Sequence, residues 1–91
     1  MIKPKPHKNK KPKIVEKKLG REQAYGQVWN WDDENPLIEI DHRLKNQDRL
    51  CILTHEALHC AFPGMSEKSV IRAAKLVSSV LWSDNYRKVE Q

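Results

Sequence analysis

Apolar residues in the C-terminal half of the chain recur at the spacing of two amphipathic helices, which we predict over residues 46–61 and 67–82. The first helix places its apolar residues on an arc of about half its circumference. The apolar stripe of the second helix is formed by Val70, Ile71, Ala74, Val77 and Leu81. Pro63 and Gly64 separate the two helices, and Ser66 is placed to cap the second.

β-Branched and aromatic residues earlier in the chain predict two strands. They lie in YGQVWNW and LIEIDHRL, and the polar stretch DDENP between them indicates a hairpin-like turn. The preceding stretch IVEKKLGREQAYG gives a weaker helical pattern, which Gly20 and Gly26 interrupt. The predicted fold class is α+β, with a small hairpin or sheet packed on the two helices.

The positive charge of the chain is concentrated at its N-terminus. The formal net charge is +5, but residues 1–21 hold nine Lys or Arg and one Glu, so the remaining residues sum to −3. A stretch rich in lysine and proline with almost nothing apolar cannot offset the entropy lost on folding. We predict a basic, disordered tail over residues 1–20 and one domain over residues 21–91. The tail either solubilises the chain or makes weak contact with nucleic acid or another acidic partner.

No apolar stretch is long enough for a signal peptide or a membrane span, so the expected location is the cytoplasm, with no membrane contact. Cys51 and Cys60 are too few for a disulfide framework and are expected to be reduced.

The first predicted helix contains the motif HEALH, in which His55 and His59 lie one turn apart, about 6 Å along the axis. Two imidazoles so placed project in nearly the same direction and can bind one Zn²⁺ ion. Glu56 is rotated by one position, so its carboxylate lies beside such an ion, where it can accept a proton from water. The motif therefore predicts His55 and His59 as zinc ligands and Glu56 as a general base.

A zinc site of this kind needs at least one more protein ligand. Glu67 begins the second predicted helix at the centre of its apolar arc, where an ionised carboxylate is costly unless a positive charge compensates it. We predict Glu67 as the third ligand. His42, after the second strand, is the alternative, whereas Cys51 lies too far along the first helix to reach the same ion.

These residues resemble the gluzincin group of zinc metallopeptidases, especially its smallest single-domain members and the short HExxH proteins of phage genomes. The resemblance extends from about Tyr25 to Arg87. It implies a compact zincin-like fold with these site residues: His55, His59 and Glu67 as ligands and Glu56 as the base. It also implies that the strand Leu37–Asp41 is an edge beside the cleft, to which a peptide or protein substrate adds in extended form.

The chain departs from the gluzincin pattern at two places. The spacing from His59 to Glu67 is shorter than in the large gluzincins, and Ile71 stands where an acidic residue often orients a ligand histidine. A carboxylate with that role must come from elsewhere in the chain, and Asp41 and Asp84 are the candidates.

The predicted function is therefore a zinc-dependent peptidase. Its reaction needs a hydrogen-bond donor for the oxyanion, for which Tyr86, Tyr25 and His42 are candidates. We favour Tyr86, because it follows the second helix and could fold back over the site.

The alternative is a non-enzymatic module in which zinc is structural or absent and the basic tail binds nucleic acid or a host protein. A structural zinc site is normally closed by four protein ligands and would give Glu56 no role, which favours the enzyme. Trp29, Trp31 and Trp82 are expected to pack against the domain and not to stack on bases, since none lies in a basic stretch of sequence.

Overall fold

Five elements of secondary structure follow one another in the part of the chain that a computed structural model describes. The described residues are 11–19, 25–30 and 35–89, and the predicted disorder of residues 1–10 and the packing of Trp31 lie outside them. The elements are the strands β1 (Lys13–Lys17), β2 (Gly26–Trp29) and β3 (Leu37–Asp41) and the helices α1 (Asn46–Ala61) and α2 (Glu67–Ser83). The fold class is α+β, as predicted.

The three strands form one sheet in the order β1-β3-β2. β2 pairs antiparallel with β3, which confirms the predicted hairpin pairing, and β1 pairs parallel with β3 on its other side. Leu37–Asp41 is therefore the central strand, and the prediction that it is an edge strand is wrong. Because both of its edges already carry hydrogen bonds to neighbouring strands, it has no free edge to offer an extended peptide.

β1 also corrects the prediction for the N-terminal segment. It occupies residues expected to be weakly helical and to belong to the tail of residues 1–20. Its pairing with β3 decides the conformation, aided by the β-branched residues Ile14 and Val15. Glu16 adds a long-range contact, because its carboxylate accepts a hydrogen bond from Arg49 of α1 at 2.9 Å. The folded region therefore begins before the predicted boundary at Gly20.

The helices build two further layers on the sheet. α1 packs on β2 and β3. α2 packs on α1 and on none of the three strands. Ser66 caps α2 as predicted, since its hydroxyl accepts the backbone N–H of Ser69 at 3.2 Å. Neither helix in the described part of the chain has the length and apolar composition needed to cross a bilayer.

The buried stripe of α2 is narrower than the sequence predicts. Val70, Ala74 and Ser78 are buried against α1, whereas Ile71 and Val77 remain exposed. α2 has a packing partner on one side only, so residues at the margins of its apolar arc stay in contact with solvent.

Candidate metal centre

The turn between the helices brings the three predicted ligands together. α1 ends at Ala61 and α2 begins at Glu67, so the last turns of α1 lie beside the first turn of α2. The Ser66 cap fixes that first turn by satisfying a backbone N–H that has no partner within the helix. Glu67 is thereby held at a defined position relative to the histidines of α1.

The imidazoles of His55 and His59 converge on the carboxylate of Glu67. The Nε2 atom of His55 lies 2.8 Å from Oε1 of Glu67, and the Nε2 atom of His59 lies 2.9 Å from Oε2. The two Nε2 atoms are 3.2 Å apart. The Glu67 side chain is 61% exposed, so the cluster is open to solvent on that side.

The arrangement fits a zinc ion. Two atoms bonded to tetrahedral zinc at about 2.0–2.1 Å lie roughly 3.4 Å apart, close to the 3.2 Å between the two Nε2 atoms. Two imidazoles and one carboxylate also form a donor set of catalytic zinc sites, which use three protein ligands. The contacts from the two histidines to Glu67 have the length of hydrogen bonds donated by ring N–H groups. Bonds from the same side chains to a metal ion would replace these hydrogen bonds, and the side chains would need to move only slightly.

Glu56 lies beside this cluster and is the one buried residue of α1, with 7% of its surface exposed. β2 covers it, because a Cβ atom on Gly26 would lie 3.1 Å from both Cγ and Oε2 of Glu56. The sheet thus covers α1 at Glu56. Burial raises the pKa of Glu56, while the neighbouring charges of His55 and His59 act in the opposite direction. A raised pKa suits a carboxylate that accepts and returns a proton near neutral pH.

The candidate oxyanion donors do not join the cluster. Tyr86 follows the far end of α2, roughly 24 Å from Glu67 along the helix at 1.5 Å per residue. Tyr86 and His42 instead line a groove of about 700 Å³ between the opposite ends of the two helices. Tyr25 lies near the guanidinium of Arg43. The position of Tyr86 does not support the role predicted for it, and His42 is not a fourth member of the ligand group.

The two aspartates considered as partners of the histidines are engaged elsewhere. Asp41 accepts hydrogen bonds from the side chain and backbone of Arg43 and from the backbone N–H of Leu19. Asp84 directly follows α2, at the opposite end of that helix from Glu67. Sequence reasoning missed Gly26, whose lack of a side chain allows β2 to approach Glu56; a glycine in a strand is the signal that points to such an approach.

Comparisons with known proteins give no match, whether to protein-family models, to curated proteins or to solved structures. Function is therefore inferred from the side chains of this chain and their geometry.

Proposed function

We propose that this protein is a zinc-dependent metallopeptidase. The observation that carries the proposal is the convergence of His55, His59 and Glu67, with the buried carboxylate of Glu56 beside them. A structural zinc site would not require an uncoordinated glutamate at this position, whereas a hydrolytic site requires a base there.

Each residue of the site has a defined part in this reaction. His55, His59 and Glu67 would hold the zinc ion, which would supply a water of lowered pKa and polarise a peptide carbonyl. Glu56 accepts the proton of the attacking water and passes it to the departing amine. The close approach of Gly26 restricts the space open to the Glu56 carboxylate, which favours one position for both transfers.

The substrate is proposed to lie along β2. One edge of β2 pairs with β3, and no other strand of the described residues pairs with its second edge. Since Gly26 of β2 contacts Glu56, an extended peptide added to that edge would run past the base. This moves the substrate from Leu37–Asp41, as predicted from the sequence, to the neighbouring strand.

The order of the elements supports a minimal zincin-like architecture, in which the helix with HEALH is followed directly by the helix with the third ligand. We place the protein in the cytoplasm, a compartment in which the free thiols of Cys51 and Cys60 would stay reduced.

Metal content tests the ligand set. Elemental mass spectrometry of the purified chain, saturated with zinc and desalted, should give about one zinc per chain for the wild type. His59→Ala and Glu67→Ala should lose it, with affinity reduced more than about 100-fold. His42→Ala is the matched control, because His42 lies at the other end of the helices and should leave zinc binding intact. Equal zinc content in all four proteins would show that the ligands are other residues.

Cleavage of a mixed peptide library, followed by mass spectrometry, tests the activity. Glu56→Gln has the same shape and should retain zinc while losing roughly 10²- to 10⁴-fold in rate. If the wild type binds zinc but cleaves nothing in the library, or if Glu56→Gln cleaves as fast as the wild type, the peptidase proposal fails and a zinc-stabilised, non-enzymatic module is the better description.

A further inference from the structure

One face of the sheet has no helix packed on it in the described part of the chain. α1 covers the face that carries Ile38 and Ile40, since a Cβ atom on Gly26, in register with Ile40, would meet Ile52 and Glu56 of α1. α2 contacts α1 and not the sheet. We call the opposite face of the sheet the outer face.

Strand register places aromatic and basic residues together on the outer face. Because side chains alternate along a strand, every second residue of each strand points outward. Across the sheet, the rows are Trp29–Leu37–Lys13, Gln27–Glu39–Val15 and Tyr25–Asp41–Lys17. The aromatic residues therefore follow β2, and the lysines follow β1.

The two aromatic side chains are available to a ligand. Trp29 is 48% exposed, which departs from the prediction that it packs against the domain, and Tyr25 is 57% exposed. The indole N–H of Trp29 donates a hydrogen bond to Oε1 of Glu39 at 2.5 Å, which holds the ring in one orientation. An aromatic ring that is half exposed and fixed in orientation is a platform on which a nucleic acid base can stack.

The outer face presents positive charge, although it also contains two acidic residues. Glu39 and Asp41 are buried, and each is paired with a cation that reaches outward from it. Lys17 contacts Glu39 at 3.1 Å with 49% of its side chain exposed, and Arg43 contacts Asp41 at 2.6 Å with 60% exposed. Lys13 adds an exposed charge without an acidic neighbour in its row. Among the described residues of this face, a phosphate would meet cations and not exposed carboxylates.

A groove of about 380 Å³ lies at the Trp29 end of the outer face. Lysine and amide side chains line it together with apolar ones: Lys11, Lys13, Val15, Asn30, Asn35 and Leu37. Amide groups can form hydrogen bonds with base edges, while the lysines can contact phosphates.

We propose that the outer face binds single-stranded nucleic acid, with bases stacked on Trp29 and Tyr25 and the backbone along Lys13 and Lys17. Stacking requires bases that are not already paired in a duplex, which favours a single strand. Charge alone would fit an acidic peptide equally well, but two exposed aromatic rings beside the cations fit bases better. The outer face lies across the sheet from α1 and the metal centre, so this site does not depend on the proposed peptidase activity.

Fluorescence anisotropy with the full chain tests the site. The probes are labelled single-stranded DNA and RNA of about 12 nucleotides and a duplex of the same sequence, at roughly 50 to 200 mM salt. The wild type should bind the single strands more tightly than the duplex. Trp29→Ala should weaken binding roughly 5- to 150-fold, and Trp29→Phe should restore most of it because a ring remains.

The charged residues are tested with a matched pair of variants. Lys13→Glu should weaken binding and reduce the slope of log affinity against log salt by about 0.7, the value expected when a lysine no longer neutralises one phosphate of a single strand. Lys75→Glu makes the same change of charge on an exposed residue of α2 and should have the smaller effect. Tyr25→Ala is an independent test of stacking should Trp29→Ala prove unstable, since the Tyr25 side chain is largely exposed.

Binding through the basic N-terminal segment must be separated from binding on the sheet. A chain with Lys3, Lys5, Lys8 and Lys10 replaced by alanine should bind more weakly, while Trp29→Ala still lowers its affinity further. The proposal is overturned if Trp29→Ala, Tyr25→Ala and Lys13→Glu all bind as the wild type does. It is equally overturned if polyglutamate competes as well as an unlabelled oligonucleotide of the same length, because the face would then recognise charge alone.

Discussion

Gly26 decides how closely the sheet approaches the base of the candidate site. A Cβ atom at this position would lie 2.9 Å from Cγ2 of Ile52 and 3.1 Å from Oε2 of Glu56. Contacts this short require a neighbouring side chain to move, and the two neighbours are Ile52 and the base itself. Gly26 therefore positions Glu56 without taking part in the chemistry.

Gly26→Ala should lower the free energy of unfolding by about 1–3 kcal/mol, the usual cost of overfilling a packed region. It should also reduce any Glu56-dependent cleavage. Urea denaturation measures the first effect, and peptide cleavage measures the second. Gly64→Ala is the control, because a Cβ atom there has no neighbour within 4 Å, and its stability should be unchanged or slightly increased. Equal stabilities for both variants would show that β2 does not pack on α1 at Gly26.

Asp41 makes the stability of the fold depend on pH. Hydrogen bonds from the Arg43 side chain and backbone hold the pKa of Asp41 well below its usual range, and burial opposes them. A carboxyl with a lower pKa in the folded chain contributes fully above its unfolded pKa of about 4, and this contribution is lost as the pH falls. The pKa of Glu39 is also lowered, chiefly by the hydrogen bond from Trp29.

Asp41→Asn should therefore be less stable than the wild type at pH 6 and lose less stability between about pH 5 and pH 2. Some dependence on pH should remain, because Glu39 still titrates in the same window. Urea unfolding midpoints at a series of pH values give the comparison. Parallel curves for the two proteins would assign the acid sensitivity to other carboxyl groups.

At the scale of the elements, the Ser66 cap links the stability of α2 to the position of Glu67. Ser66→Ala should cost about 1 kcal/mol of stability and weaken zinc binding, because the first turn of α2 contains the third ligand. Ser66→Asp, which keeps an acceptor for the N–H of Ser69, should preserve both properties. Ser79→Ala makes the same replacement at an exposed position within α2 and should be neutral or slightly stabilising. Calorimetry and zinc titration distinguish these variants; loss of stability in Ser79→Ala alone would contradict the cap.

The elements that could be predicted from sequence are those whose signals are local. Both helices have regular apolar spacing, and α2 also has a capping serine. The bounds of the two helices agree with prediction to within one residue. β1 could not be predicted, because its conformation depends on pairing with β3, more than 20 residues later along the chain. The prediction of Leu37–Asp41 as an edge strand came from the family resemblance, and it is wrong because β1 pairs with the other side of that strand.

The candidate site shows the same division between local and long-range information. The spacing of His55 and His59 within one helix, and the start of the next helix at Glu67, are enough to predict three side chains that the structure brings together. The burial of Glu56 depends on the approach of Gly26 from a separate strand. Tyr86 would reach the site only if the chain folded back after α2. Because α2 continues to Ser83, Tyr86 instead lies at the other end of the helix pair.

At the scale of the whole molecule, α1 is the only element among those described that connects the sheet to α2. α2 covers one side of α1 and leaves much of its own surface exposed, so it is the layer that can separate without disrupting the strands. A zinc ion held by His55 and His59 of α1 and by Glu67 of α2 would tie these two layers together. The proposed metal centre would thus also stabilise the packing of α2 on α1.

Zinc should therefore slow hydrogen exchange selectively in α2. At a free zinc concentration of about 100 times the dissociation constant, binding adds roughly 2.7 kcal/mol to any opening that breaks the site, which slows exchange through that opening about 100-fold. Amides of β1, which pairs with β3 and holds none of the ligands, can open without releasing zinc and should change little. Hydrogen exchange followed by mass spectrometry measures both segments in one experiment. The Glu67→Ala chain should show no slowing with zinc. Protection confined to α1 would mean that the histidines bind the ion without Glu67, and that α2 is held by packing alone.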